Sequence, residues 1–270
     1  MKTMKTTTLV LIIFITISLF SGGTAFGQKR FMLNENETDK FKIATRLFYK
    51  GEQLFSDGKF NKAKESFTDC LEKFPQYATA DYYLGRICYD EGDYLKALEH
   101  IEIAKKNYKV LADIEVSTKL EYMDKLREEK MAAEETLRDI QKKTQALNAK
   151  SGSGQTGEFD KQIFMAQKTL DEINQRMKEP IPQASEIPAD FFYVHGNILF
   201  KIKKYKESLD EYLEAIRINP QHGNAYINIA NLNFMAKRYE KALFYLEKAE
   251  SCGAPVNPEF RKAIYKAMGQ

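Results

Sequence analysis

The sequence predicts an all-α protein built from paired helices. Landmark residues recur every 34 residues, apolar residues follow a seven-residue spacing in the middle of the chain, and neither Pro nor Gly occurs from Val110 to Lys150. Repeats of this length are typical of stacked helical units, and a seven-residue spacing is typical of helices that pair along an apolar stripe. Every periodic segment has a helical period, so we expect no sheet.

Four units share the same landmarks. A small residue is followed 12 and 19 residues later by further small residues, 9 residues later by an aromatic, and 16 residues later by a bulky side chain. The first landmarks are Gly51, Gly85, Gly196 and Ala230, and the bulky residues are Phe67, Ile101, Tyr212 and Leu246. Small residues allow two helices to approach closely, and bulky ones fill the remaining space.

This pattern resembles the tetratricopeptide repeat, a helix-turn-helix unit of about 34 residues. The resemblance covers two pairs of repeats, in segments 41–109 and 189–254, and implies that they stack into a superhelix. Gly58 and Gly92 open the turns of the first pair, whereas Lys203 and Lys237 stand at those positions in the second, and Ser208 replaces a small apolar residue. We expect segment 255–270 to form a capping helix, because Pro is favoured in a first helical turn.

The segment 110–180 does not follow the repeat but is strongly helical. Seam positions taken every seven residues from Val116 and from Lys119 are apolar at seven of ten places, and a second stripe runs from Phe159 to Met177. We predict an antiparallel coiled-coil hairpin, continuing the stack at its base and followed by a Pro-containing linker at 181–188. The alternatives are a hinge between two separate repeat pairs, and an arm that pairs with another chain.

The N-terminus has the pattern of a secretory signal peptide. Lys2 and Lys5 precede an apolar run from Leu9 to Phe20, and small residues follow it. We expect cleavage to remove residues 1–27, leaving 28–40 as a linker and placing the protein in the periplasm or outside the cell. The alternative is an uncleaved membrane anchor, which also places the rest of the chain outside the cytoplasm.

Composition and motifs argue against an enzyme. The 41 basic and 38 acidic residues nearly cancel, so nothing favours nucleic acid as a partner. The three histidines are scattered, and no nucleophile elbow, phosphate loop or zinc signature is present. Residues 152–157 match a dinucleotide-binding glycine pattern, but they follow a helix rather than a strand and are predicted to be a linker. We expect no catalytic residue, no metal, no cofactor and no small-molecule substrate.

The three cysteines carry no motif, because they are too few and too far apart for a disulfide framework. Cys70 and Cys88 could pair if their helices touch, but both stand where the repeat favours a small buried side chain. We therefore expect buried thiols.

One face of each first helix could bind other polypeptides. The face consists of the positions three residues before, one residue after and four residues after the first landmark. These positions are spaced i, i+4 and i+7, so they lie on the same side of the helix. They are Phe48, Glu52, Phe55, Tyr82, Arg86, Tyr89, Tyr193, Asn197, Phe200, Ile227, Asn231 and Phe234. In tetratricopeptide repeats this face lines a concave groove, so the resemblance implies a binding surface for an extended or helical peptide. Aromatic residues here could instead pack between neighbouring repeats.

Two functions are compatible with these patterns. The first is an exported scaffold that mediates protein-protein interaction, and the second is an assembly component that oligomerises through its coiled-coil arm. The basic and Asn clamp by which some members of the family hold acidic C-terminal peptides is not reproduced, because Phe48 and Glu52 stand where it would begin. The expected partners are other proteins or peptides.

Overall fold

The computed structural model describes residues 33–151, 157–182 and 186–269, and within these ranges all regular structure is helical. Ten helices follow one another in the described residues. They are α1 (Glu35–Ser56), α2 (Phe60–Lys73), α3 (Ala78–Asp90), α4 (Tyr94–Ser151), α5 (Gly157–Arg176), α6 (Ala189–Lys201), α7 (Tyr205–Ile218), α8 (Gly223–Met235), α9 (Tyr239–Ser251) and α10 (Pro258–Ala267). The predicted all-α class is confirmed. None of the described helices is long and apolar enough to cross a bilayer.

Each repeat is held together by the contact between its small landmark and its bulky residue. A Cβ atom built on Gly51 would lie 2.6 Å from the Phe67 ring, and one built on Gly196 would lie 2.6 Å from the Tyr212 ring. Such distances are far inside van der Waals contact, so no side chain fits at these landmarks without displacing its neighbour. Phe67 and Tyr212 are almost completely buried. The paired helices can therefore meet only because the landmark is small.

The serine at the third repeat's small position is accommodated by a hydrogen bond. Ser208 is fully buried, and its hydroxyl donates to the carbonyl oxygen of Gly196 at 2.8 Å. This bond satisfies a polar group that would otherwise lose its interaction with water. The departure from a small apolar residue thus leaves the helix pairing intact.

The turns inside the repeats share one backbone geometry, whether or not a glycine is present. Gly58 and Gly92 have φ of 73° and 82°, and Lys203 and Lys237 have φ of 65° and 58°. The backbone N–H of Gly58 donates to Phe55, and that of Lys203 donates to Phe200, both at 3.0 Å. A left-handed conformation costs an L-residue about 1–2 kcal/mol, so both lysines are strained.

The second pair of repeats packs directly on the first. Helix α6 contacts both α3 and α4, and the Tyr82 and Phe191 rings stack with centroids 4.3 Å apart. Further along, α7 packs on α8, and α10 packs on α9. Ile264 of α10 is fully buried against the core of the last repeat, as a cap requires. The described repeats therefore form one stack.

A cluster of charged and polar groups lies inside this junction. The Lys105 ammonium donates to both carboxylate oxygens of Glu211, at 2.8 Å and 2.6 Å, and His195 Nδ1 lies 3.1 Å from Lys105 Nζ. Burial alone would raise the pKa of Glu211, but hydrogen bonds from His195 and Lys105 outweigh it and hold that pKa below its ordinary value. The cluster ties α4, α6 and α7 together.

Helix α4 serves both the second repeat and the arm. It runs without interruption from Tyr94 to Ser151, so no helix boundary falls between the segments 41–109 and 110–180. The reason is that no Pro or Gly lies between Val110 and Lys150. Leu111 and Ile114 are buried in the core around α1, so the first part of segment 110–180 belongs to the packed body.

Helices α4 and α5 pack side by side with opposite directions. Lys119 pairs with Glu179, Arg176 donates to the Tyr122 hydroxyl at 3.0 Å, and Leu126 packs near Ile173. All ten seam positions that begin at Val116 and Lys119 are buried or half-buried. The tip residues 152–156 lie outside the described part of the chain. At the base of the hairpin formed by α4 and α5, the helix that packs on α4 and continues the stack of repeats is α6, not α5.

The N-terminal part of the described chain departs from the predicted linker. Helix α1 begins at Glu35, inside segment 28–40, because Asn34 and Glu37 form a capping box. The Asn34 side chain accepts from the Glu37 N–H, and the Glu37 carboxylate accepts from the Asn34 N–H, both at 3.0 Å. These bonds satisfy two backbone donors at the helix start. The predicted signal peptide, residues 1–27, lies outside the described residues.

All three cysteines lie in the described residues and are free thiols, with Cys70 and Cys88 buried. Burial raises the pKa of Cys70 to about 12, and it also raises the pKa of Cys88. These side chains therefore act as small apolar residues of the repeat.

We expect Lys203→Gly to stabilise the protein by about 0.5–1 kcal/mol. Glycine removes the strain of the left-handed conformation, and the extra freedom of the unfolded chain offsets part of that gain. Chemical denaturation measures the difference. The control is Lys204→Gly, because Lys204 has φ of −83° and gains nothing from glycine. Equal or lower stability of Lys203→Gly would contradict the strain argument.

Candidate functional site

Two adjoining cavities lie across the boundary between the second and third repeats. They have volumes of about 280 Å³ and 270 Å³ and share the residues Tyr89, Tyr193 and Asn197. The other lining residues are Tyr82, Arg86, Asp90, Asp190 and Val194 on one side and Phe200, Lys201, Tyr212, Asn228 and Asn231 on the other. We call this continuous surface the junction groove.

The junction groove is formed where the first helices of successive repeats come side by side. Tyr89 belongs to α3, Tyr193 and Asn197 belong to α6, and Asn231 belongs to α8. Positions that share a face of one helix recur on the next helix because each repeat places its first helix in the same way. The packing of α6 on α3 therefore brings predicted residues from distant parts of the sequence together.

Arg86 is held against aromatic rings at one end of the groove. Its guanidinium carbon lies 4.6 Å from the centroid of the Phe55 ring, 5.6 Å from that of Tyr83 and 5.7 Å from that of Tyr82. Cation–π contacts of this kind fix a guanidinium without neutralising its charge. Arg86 is therefore positioned to pair with an acceptor in the groove.

Asn197 presents hydrogen-bond donors at the centre of the groove. Its amide oxygen accepts from the Tyr212 hydroxyl at 2.7 Å and from the Asn228 amide at 2.8 Å. These two bonds orient the side chain, and within the described residues no acceptor engages its amide nitrogen. A carboxamide held by its oxygen offers N–H groups in a fixed direction to a ligand carbonyl.

The far wall of the groove holds an oriented acid. His222 Nδ1 accepts the Ala225 backbone N–H at 3.2 Å, so Nε2 carries the proton that it shares with Asp190, also at 3.2 Å. The hydrogen bond from His222 holds the pKa of Asp190 below its ordinary value. Asp190 is thus a charged acceptor facing a groove that also contains Arg86 and Lys201.

The structure brings together seven of the twelve residues predicted for the binding face. Those that line the junction groove are Tyr82, Arg86, Tyr89, Tyr193, Asn197, Phe200 and Asn231. Tyr82 is also largely buried by its stacking on Phe191. Its ring therefore contributes to packing as well as to the groove wall, and burial raises its pKa to about 12.

The remaining five predicted residues lie elsewhere. Phe48 is buried among Phe67, Tyr77 and Tyr83, because it fills the space between the first two repeats. Glu52 accepts from the Tyr83 hydroxyl at 3.0 Å, and Phe55 supports Arg86. Phe234 packs edge-on against Phe260 of the cap, with ring centroids 5.5 Å apart. Ile227 is half-buried and lines neither cavity.

Several lining residues were not predicted. Asn228 stands two residues before its landmark, as Tyr83 and Val194 do in their repeats. A prediction that also included this position of each first helix would have found Asn228. Asp190, Lys201 and the pairing of Asp190 with His222 depend on how the third and fourth repeats meet, which no spacing within one repeat indicates.

Two family models match the chain, one in each pair of repeats. The family model described as "Tetratricopeptide repeat" matches residues 50–109, and the model described as "TPR repeat" matches residues 196–237. The chain contains tetratricopeptide repeats. The matched residues include the small landmark and bulky residue of three of the four units, whose contacts define the observed helix pairs.

A curated relative matches one quarter of the chain. The Hsp70-Hsp90 organising protein of Plasmodium falciparum is 37% identical over 67 residues, which are 25% of this chain and 12% of that protein. The match therefore spans only a small part of the relative's length.

Solved structures also align with this chain. A thermophilic protein of Thermus thermophilus has a TM-score of 0.36 at 17% identity, with 84% of this chain and 100% of that chain covered. The TPR2AB domain of yeast Sti1, in its pHSP90 complex, has a TM-score of 0.27 at 17% identity, with 84% and 99% covered. PilF of Pseudomonas aeruginosa has a TM-score of 0.35 at 16% identity, with 82% and 81% covered.

Among the described residues, no group of three or more His, Cys, Asp or Glu side chains is arranged to hold a metal ion. The groove instead combines aromatic walls with amide, guanidinium, ammonium and carboxylate groups. Such a surface can hold a flexible polar chain by hydrogen bonds while burying part of its apolar side chains.

Proposed function

We propose that this protein is an exported, non-enzymatic scaffold that binds other polypeptides in the junction groove. The observation that carries the proposal is the fixed Asn197 carboxamide at the centre of a groove lined by tyrosines. A peptide backbone offers alternating carbonyls and N–H groups, which match the amides of Asn197 and Asn231 and the carboxylate of Asp190. Tyr89 and Tyr193 supply aromatic area for side chains at little entropic cost.

The charges of the groove favour a ligand without a large net charge. Arg86 and Lys201 face Asp90 and Asp190 across the same surface, so the formal charges balance. A strongly acidic or strongly basic segment would meet like charge at one of these positions. The preferred partner is therefore an extended polypeptide with polar and aromatic or aliphatic side chains, rather than an acidic tail.

The proposed location is the periplasm or another space outside the cytoplasm. It rests on the charged start, apolar run and small residues of segment 1–27. The alternative, an uncleaved anchor, would keep the scaffold at the membrane surface with its repeats on the same side.

A second candidate function is assembly of a larger complex through the arm formed by α4 and α5. Large apolar side chains are exposed on this arm: Met131 at 68%, Phe164 at 64% and Met165 at 53%. The seam residues Leu137, Ile140 and Leu170 are only half-buried, because two helices cannot cover an apolar stripe from all sides. A second copy of the arm would cover these residues and convert the hairpin into a four-helix bundle.

We expect the protein purified from its native envelope to have a mass that lacks residues 1–27, because the apolar run is followed by small residues suited to signal cleavage. Intact-mass spectrometry of the soluble and membrane fractions measures this. A membrane-bound protein that still contains Met1 would support the anchor instead.

We expect Asn231→Ala to weaken partner binding by about 1–2 kcal/mol, with little change in melting temperature. The partner is first isolated by crosslinking the protein in its native envelope, and affinities are then measured by calorimetry. Asn224→Ala is the matched control, because Asn224 is exposed on the same helix and does not line the groove. Unchanged affinity of Asn231→Ala would remove this part of the groove from the binding site.

Tyr82→Ala separates packing from binding in the same experiment. Loss of its stacking on Phe191 should lower the free energy of unfolding by about 3 kcal/mol. If stability is unchanged and only affinity falls, the structural role assigned to Tyr82 is wrong.

We expect the double variant Met131→Glu, Phe164→Glu to be monomeric if the arm drives self-association, since charges on both exposed positions oppose burial. Light scattering measures the mass of the native protein and the variant. The control is Leu95→Glu, because Leu95 is 73% exposed on the repeat portion of α4. A native protein that is already monomeric would exclude this second function.

A further inference from the structure

A separate cavity of about 600 Å³ lies where α1 meets the base of the arm, and it shares no residue with the junction groove. Its walls come from α1, from Tyr77, and from the part of α4 that continues beyond the second repeat. Leu111 and Ile114 pack with Phe41 and Tyr77 in the core below it. The cavity is therefore a product of the uninterrupted α4.

The walls of this cavity, which we call the arm-base cavity, are rich in aromatic rings. Phe41 and Tyr77 are buried and stack with ring centroids 5.8 Å apart, while Tyr49 and Tyr122 stand at the rim. The Lys119 ammonium already lies 5.2 Å from the centroid of the Tyr122 ring. Rings in this arrangement attract positive charge through their negative faces.

Glu115 is the acidic group of the arm-base cavity that lacks a cationic partner. The three lining lysines each have another carboxylate: Lys42 pairs with Asp39 at 3.4 Å, Lys125 pairs with Glu121 at 2.9 Å, and Lys119 pairs with Glu179. Within the described residues, no hydrogen bond or ion pair engages Glu115. Burial accordingly raises the pKa of its carboxyl group.

The return of the chain after α5 explains why Glu115 is left unpaired. Glu115 and Lys119 are four residues apart on α4, a spacing at which Glu and Lys ordinarily pair along a helix. Lys119 instead forms an ion pair across the arm with Glu179, which follows α5 in the chain. The tertiary structure therefore maintains a partly buried carboxylate that lies among aromatic rings and forms no ion pair within the described residues.

We propose that the arm-base cavity binds a cationic side chain, that of an arginine or lysine, on a peptide segment of a partner protein. The carboxylate of Glu115 would pair with the guanidinium or ammonium group, and the rings of Tyr49, Tyr77 and Tyr122 would surround its aliphatic stem and charge. This chemistry differs from that of the charge-balanced junction groove. The two sites are independent, and either can fail without the other.

The test uses the peptide acetyl-Gly-Arg-Gly-amide and its neutral analogue with citrulline in place of arginine, titrated into the isotopically labelled protein by NMR. We expect the arginine peptide to bind at least about tenfold more tightly than the citrulline peptide, because citrulline keeps the shape and loses the charge. Glu115→Gln should remove this preference. Glu121→Gln should retain it, because Glu121 lines the same cavity but is exposed and already paired with Lys125.

The stability of the unliganded protein provides a second readout. Because the pKa of Glu115 is raised on folding, its ionised form opposes folding above that pKa, and this cost disappears as the pH falls below the unfolded value. Glu115→Gln should therefore melt at a higher temperature than the native protein at neutral pH, with the difference vanishing in acid. Glu121→Gln should show no such gain. We therefore expect Glu115→Gln to remain folded while its binding of the arginine peptide is lost.

Several outcomes would overturn the proposal. These are equal binding of the arginine and citrulline peptides, unchanged binding by Glu115→Gln, or no binding by the native protein. Lys29 and Arg30 are two neighbouring basic residues that precede the described part of the chain. If only a variant with Lys29→Gln and Arg30→Gln binds the peptide, the occupant is this basic pair of the chain itself rather than a partner. Partner capture by the junction groove should be unaffected by Glu115→Gln, so failure here leaves the proposed function standing.

Discussion

The structure depends on the close approach of two helices at a residue too small to keep them apart. Gly51 faces the ring of Phe67, and Gly196 faces the ring of Tyr212, at distances that leave no room for a Cβ atom. This contact sets the angle and spacing inside each repeat. Because the geometry is repeated, the first helices line up with one another, and their shared face becomes a surface rather than a set of isolated positions.

The junction between the two pairs of repeats combines packing with binding geometry. The stacked rings of Tyr82 and Phe191 bring α3 against α6, and the ion pair between Lys105 and Glu211 joins α4 to α7. These contacts place Tyr89 beside Tyr193 and leave a groove between them. The groove is polar at its centre because Asn197 is held by Tyr212 and Asn228, and both of those residues belong to the following helices.

The arm changes what the first repeat pair exposes. A helix that ended near residue 109 would leave out Leu111 and Ile114, which α4 contributes to the same buried cluster as Phe41 and Ala44 of α1. Because the chain returns toward α4 after α5, Lys119 forms its ion pair with Glu179 and not with Glu115. One long helix thus contributes to a repeat, to a projecting hairpin and to a cavity between them, so changes in the arm can reach surfaces on the body of the protein.

The sequence by itself determined the repeat, because the small and bulky landmarks act between residues a fixed distance apart in the chain. It also determined that segment 110–180 contains helices on either side of residues 152–156, and which positions form their apolar stripe. Only the tertiary structure decided the rest. Phe48 and Tyr89 occupy positions on the predicted face of successive repeats, yet one is buried and the other lines a groove, because a neighbouring repeat covers the first. The unpaired state of Glu115 has the same origin, since a contact between distant segments overrides the local helical pairing.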